Sequence, residues 1–139
     1  MLSYKCFCDT LALDQLFTIE SRIRNQKPSC FIVNSHGSIY EGEHWIACMI
    51  FRDHVEIFDS YGIPPPIQLF NFVSRFLNNI QTSTFQLQPS TFNTDCGLFC
   101  IYYLKKRHSN PIGTISSFIR RHFFIHDLYF NVALVNNYW

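Results

Sequence analysis

Two kinds of hydrophobic pattern run along the chain, near-continuous or alternating runs that predict strands and three-to-four-residue stripes that predict helices. His44 to Phe51 is almost continuously apolar, with β-branched and aromatic residues, as in a strand covered on both faces. Cys30-Phe-Ile-Val33 and Val55-Glu-Ile-Phe-Asp59 are further short β-runs. Arg52-Asp-His54 is a polar turn, so the later two runs form an antiparallel hairpin whose second strand ends near the start of the first. A turn of two or three residues sets Asp59 opposite Ala47 or Cys48, which leaves side-chain reach and a bend near His44 to bring Asp59 to His44. Ile67, Phe70, Val73, Phe76, Leu77 and Ile80 recur every three or four residues, the stripe of an amphipathic helix. The prolines of Gly62-Ile-Pro-Pro-Pro-Ile67 suit its first turn, and Asn78-Asn79 ends it. Thr84-Phe-Gln-Leu-Gln88 alternates as a strand.

Leu98 to Leu104 is an apolar helical run, preceded by Asn93, Thr94 and Asp95 as capping residues. Lys105-Lys-Arg-His108 complements its C-terminus and Ser-Asn-Pro111 stops it. Thr10 to Arg24 carries a mixed pattern that fits a short helix around Asp14, followed by a loop at Asn25–Ser29. Ile115–Phe124 and Asp127–Val135 read as one or two closing helices.

Composition changes this picture in three ways. A chain of 139 residues that is 47% hydrophobic and 15% charged suits one domain over residues 1–139, and 15 Phe with 7 Tyr imply a core of packed rings. The net charge of +1 argues against a strongly electrostatic nucleic-acid binder. Lys105, Lys106, Arg107, Arg120 and Arg121 could form a basic face for DNA, but solvated helix ends explain them more cheaply. The start Met1-Leu-Ser-Tyr-Lys-Cys-Phe-Cys8 lacks a secretory pattern, and no run is long enough to span a membrane. The expectation is an intracellular protein with no membrane partner. Its six cysteines lack the spacing of a zinc site and are read as thiols, mostly buried.

Cys96 stands out among them. It lies where a polar loop becomes an apolar helix, with Gly97 after it, so the macrodipole and free N–H groups favour its thiolate. The ordinary alternative is a buried structural thiol. Partners for a reactive cysteine lie upstream in Gly42-Glu-His-Trp-Ile-Ala-Cys-Met-Ile-Phe51 and Val55-Glu-Ile-Phe-Asp-Ser-Tyr-Gly62, giving the chain order His44, Asp59, Cys96. In this arrangement His44 exchanges a proton with Cys96 and Asp59 orients the imidazole. His44 as a plain hairpin-end residue, and Asp59 as a turn residue bonding backbone at Ser60 or Tyr61, are the bland alternatives.

Gly-Glu-His-Trp, Phe-Asp-Ser-Tyr-Gly and a Leu-Gln ahead of Asp-Cys-Gly-Leu-Phe-Cys together resemble the adenovirus-type cysteine proteases, most nearly the version carried by Polinton/Maverick elements and large DNA viruses. The SUMO-deconjugating proteases share the His, Asp, Gln, Cys order. The resemblance extends from about Phe31 to Leu104. It implies an α+β fold of papain-like, adenain type: a small mixed or antiparallel sheet packed with helices, the nucleophile Cys at the N-terminus of a central helix. It also implies that Gln88, with the N–H of Cys96, forms an oxyanion hole. Gln88 lies eight positions before Cys96, about one residue further than the family's glutamine, and Gln86 is the backup. Trp45, directly after the histidine, is implied to line a narrow cleft for small residues. Cys100, one turn past Cys96, is read as a core thiol, with disulfide capture of a peptide a remote alternative.

The function expected is a cysteine endopeptidase without cofactor or metal that processes viral or transposon-encoded structural proteins after small residues such as Gly. For a viral protein the compartment is the host nucleus or the virion, and an activating peptide or DNA is an open question. Removal of ubiquitin-like modifiers is the alternative within the same chemistry. A non-catalytic peptide-binding remnant is the alternative from another class, disfavoured because a remnant has no physical need for His44, Asp59, Gln88 and Cys96 together.

Overall fold

Alternation within the strands sends side chains to two opposite cores, and this is what makes the strand sequences nearly continuous in apolar residues. The computed structural model describes residues 6–35, 44–89 and 95–138. Within them a five-stranded sheet has the order β1-β2-β3-β4-β5: β1 Phe7–Ala12, β2 Ser29–Asn34, β3 Trp45–Ile50, β4 Val55–Phe58 and β5 Ile80–Thr82. The outer pairs, β1 with β2 and β4 with β5, are parallel; the central pairs are antiparallel. Cys30, Ile32, Ala47, Met49 and Phe58 face one core, closed by α3 Cys96–Ser109, α4 Ile115–His122 and α5 Leu128–Asn136. Phe31, Val33, Ile46, Cys48, Ile50, Val55 and Ile57 face the other, closed by a 3-10 helix at Leu13–Ile19, α1 Glu20–Asn25 and α2 Ile67–Ser74. The result is an α+β fold with a mixed sheet between two helical layers.

The hairpin, the Cys96 helix and the closing helices follow the sequence pattern, the last as two separate helices. Four expectations need correction. Residues before Leu13 form β1 rather than helix, because β2 offers a parallel edge, and the helical stretch starts after it. The helix expected to end at Asn78-Asn79 stops at Ser74, and its buried positions are Leu69, Phe72 and Val73 while Ile67 and Phe70 point outward. Ile80 instead opens β5, whose pairing with Val55 outweighs the helical spacing. Pro66 serves as the cap before α2 rather than within its first turn. Thr84–Gln88 is irregular; the only strand in that part of the described chain is β5.

Glu56 sits on β4 in step with Phe58, so it points into the core beneath α3. A carboxylate there requires partners. Arg107, fully buried, supplies Nε at 3.0 Å and Nη2 at 2.6 Å. Its other N–H groups reach the carbonyls of Asn110, Ile112 and Gly113, which ties the end of α3 to the hairpin. Tyr103 Oη also donates to Glu56, and His54 Nε2 lies 2.8 Å from it. Arg107 is therefore not part of a basic surface, and α3 ends on a buried ion pair rather than on solvated cations.

Candidate active site

The hairpin loop sets the relation between His44 and Asp59. Ile50 pairs with Val55, so the loop holds four residues and Phe58 falls opposite Ala47. Continued one step, that register puts Asp59 across from Ile46, one residue nearer His44 than a two- or three-residue turn allows. The remaining distance is closed by side chains: His44 Nε2 lies 2.9 Å from Asp59 Oδ1. Neither imidazole nitrogen has a hydrogen-bond partner of good geometry among the described residues. Contacts of this kind are commonly loose until a substrate is bound.

Asp59 is held from several sides. Its backbone N–H donates to Ser83 Oγ at 2.8 Å, and that hydroxyl donates to the Asp59 carbonyl at 3.1 Å. Its Oδ1 also accepts the Tyr61 N–H at 2.7 Å, an Asx turn that fixes the carboxylate before it meets the imidazole. The oxygen that closes this turn is also the one 2.9 Å from His44 Nε2. The turn closes with Gly62 N–H on the Asp59 carbonyl at 2.9 Å. Gly62 has φ +69°, and a Cβ there would lie 2.6 Å from the Phe85 backbone. Only glycine fits this close approach.

Cys96 is the first residue of α3. Asp95 occupies the cap position without a capping side-chain bond, while Asn93 and Thr94 lie outside the described residues, as do Gly42 and Glu43. The Trp45 N–H donates to Cys96 Sγ at 3.4 Å, which seats the thiol beside the residue following His44. Burial raises the Cys96 pKa, but the His44 imidazole and the Trp45 and Gly97 N–H groups outweigh it, so the thiol lies below its ordinary value. Burial pulls His44 down, and the Asp59 carboxylate and the Cys96 sulfur outweigh that, leaving it pushed up to about 9. Shifts in opposite directions favour a thiolate–imidazolium pair over the neutral thiol and imidazole. Burial instead raises Cys8, Cys48 and Cys100. Cys6 is lowered chiefly by its bond to the Cys30 thiol, 3.5 Å away.

Gln88 is fully buried, and its amide oxygen accepts the Ser60 hydroxyl at 2.6 Å. Gln86 is exposed, and its amide nitrogen donates to the Gln88 carbonyl at 3.1 Å. Trp45 is half-buried, and its Cδ1 would stand 3.8 Å from a side chain at Gly97. Cys100 is fully buried with its thiol on the Trp45 carbonyl at 3.3 Å. Tyr61, whose ring centroid is 5.0 Å from that of His44, was not a sequence candidate, nor were Ser60 and Ser83. Ser60 and Tyr61 lay inside the Asp-containing motif, whereas Ser83 carried no signal at all. Among the described residues no group of three His, Cys, Asp or Glu is placed to hold a metal, and no helix is long and apolar enough to cross a membrane.

No family model matches this sequence, and no curated protein matches it. Solved structures do. The chain is similar to the ASFV protease, with a TM-score of 0.54 at 17% identity over 77% of this chain. It spans about half the length of that protease, 52%. It is also similar to the central domain of an uncharacterized protein from Legionella pneumophila, with a TM-score of 0.50 at 17% identity, covering 95% of this chain and 77% of that one. At such identities the likeness is one of fold: a small α+β architecture with a mixed sheet and packed helices.

Proposed function

We propose, starting from a fold shared with a viral protease, that this chain is a cysteine endopeptidase of the adenovirus type in which Cys96 is the nucleophile, His44 the acid–base and Asp59 its orienting partner. The observation that carries this reading is the convergence of three chain segments: Asp59 Oδ1 lies 2.9 Å from His44 Nε2, and the adjoining Trp45 N–H contacts Cys96 Sγ at 3.4 Å. With Nε2 the nitrogen nearer Asp59, Nδ1 is the one left for the thiol.

The reaction then runs in two stages. The Cys96 thiolate attacks the scissile carbonyl carbon, the carbonyl oxygen takes up negative charge, and collapse breaks the C–N bond as the His44 imidazolium gives its proton to the leaving amine. Neutral His44 next takes a proton from water, whose oxygen attacks the thioester. Collapse releases a carboxylic acid and restores the Cys96–His44 pair. Gln88 Nε2 and the Cys96 N–H stabilise the oxyanion in both stages, and one such donor is typically worth about 3 kcal/mol of barrier. No cofactor enters. The Polinton/Maverick-like sequence motifs favour structural precursor proteins of a virus or transposon as substrates. Trp45 beside the thiol favours Gly before the cut.

A panel of fluorogenic peptides paired at Gly or Leu before the cleaved bond, together with ubiquitin-like modifier conjugates, tests this. The expected result is cleavage of Gly peptides with conjugates left intact, and relaxed selection in Trp45→Ala. Cleavage of conjugates alone would select the isopeptidase reading. Peptide binding without turnover, unaltered in Cys96→Ala, would select the binding remnant.

A further inference from the structure

We infer that Ser60 is a positioning residue that holds the Gln88 amide with its nitrogen end toward the oxyanion; the inference rests on the proteolytic reading above and deepens it. An amide side chain is two-faced. Its NH2 can stabilise an oxyanion, whereas its carbonyl oxygen in the same place would repel one, so the glutamine works only if something distinguishes its ends. At Gln88 the distinction comes from Ser60, whose hydroxyl donates to Oε1 at 2.6 Å and so commits that end.

The contact is part of a short clamp. The Ser60 carbonyl accepts the N–H groups of both Leu87, at 2.8 Å, and Gln88, at 3.0 Å. Backbone and side chain of Gln88 are thus both referred to one residue. Ser60 in turn is bonded through the chain to Asp59, which meets His44. From the other side, Asn131 on α5, fully buried, donates to the Leu87 carbonyl at 3.0 Å and fixes the same backbone. Ser60 and Gln88 are both fully buried, so water does not compete for the bond. Thr84–Gln88 is no strand and cannot borrow its geometry from a sheet ladder. The Ser60 clamp takes over that task, and it explains how a loop about one residue longer than the family's still presents an ordered glutamine.

The test is a double-mutant cycle on kcat and KM with one Gly-containing fluorogenic peptide, accompanied by thermal unfolding of every variant. Ser60→Ala should lower kcat about tenfold, the scale of one neutral hydrogen bond, with KM within about twofold. Gln88→Ala should lower kcat about a hundredfold or more. In the double variant kcat should match Gln88→Ala alone, because without the amide there is nothing left to orient. Ser60→Cys, of similar volume and a weaker donor, should fall between, and it serves if Ser60→Ala is poorly folded. A peptide aldehyde, whose thiol adduct carries an oxyanion, should lose affinity for Ser60→Ala, while the matching alcohol should not. A Ser60→Ala effect that is unchanged in the Gln88→Ala background, or that appears only in KM, overturns the inference. Absence of hydrolysis by the unmodified protein, with Cys96→Ala as control, overturns the proteolytic reading and takes this inference with it.

Discussion

Replacing Asp59 by Asn removes a charge while leaving the turn intact, because an Asn oxygen can still accept the Tyr61 N–H. What it removes from His44 is calculable in direction and scale. The imidazole is pushed from 6.5 to about 9 against the opposing effect of burial, and of the groups that raise it Asp59 acts most strongly. That difference amounts to about 3 kcal/mol in favour of the imidazolium. Because the folded value lies above the unfolded one, this contribution is fully present below about pH 6.5 and is lost as pH rises through about 9. Two measurements follow. In the unmodified protein kcat/KM for a peptide should hold through neutral pH and fall on an alkaline limb near 9, while alkylation of Cys96 by chloroacetamide should already be fast below the range of a free thiol. In Asp59→Asn burial acts against less opposition, so the alkaline limb should move down by at least about one pH unit, and alkylation at pH 6 to 7 should slow as the thiolate loses its partner. The stability gap between the two proteins, measured by urea unfolding, should narrow from pH 7 to pH 10. A wild-type limb near 6.5, or an Asn variant with an unmoved profile, would refute the coupling of Asp59, His44 and Cys96.

Arg107→Met should cost about 3 to 5 kcal/mol in urea unfolding, since it strands the buried Glu56 carboxylate and releases three carbonyls at the end of α3; a loss below about 1 kcal/mol would show the pair to be dispensable. Gly62→Ala should destabilise by at least about 2 kcal/mol and lower turnover, because a left-handed Ala strains and its Cβ meets the Phe85 backbone that shapes the Asp59 turn. Cys96→Ala should abolish peptide hydrolysis and leave the fold intact. By contrast, Cys100→Ala should keep turnover per folded molecule and show its loss in the melting temperature, as its thiol is fully buried on the Trp45 carbonyl. A folded but inactive Cys100→Ala beside an active Cys96→Ala would reverse the assignment of the thiol.

The sequence by itself determined the elements whose pattern is local. The apolar runs of β2, β3 and β4, the polar hairpin loop and the loop-to-helix step at Cys96 are written in spacings of a few residues, so they could be read directly, and with them the order His44, Asp59, Cys96. Tertiary structure decided whatever depends on register or on a partner distant in the chain. Phe76, Leu77 and Ile80 have helical spacing, yet Ile80 goes to a strand because β4 presents an open parallel edge. The four-residue hairpin loop, one longer than the polar stretch suggests, moves Asp59 one step nearer His44. Arg107 looks like a solvated helix end until Glu56, more than 50 residues earlier in the chain, is seen beneath it. Ser60 and Gln88, 28 residues apart, acquire a common role only when the turn after β4 lies against the chain leading to Cys96. Local periodicity records which face of an element is apolar, whereas pairing across the sheet and into the core is a competition among segments that no short window contains.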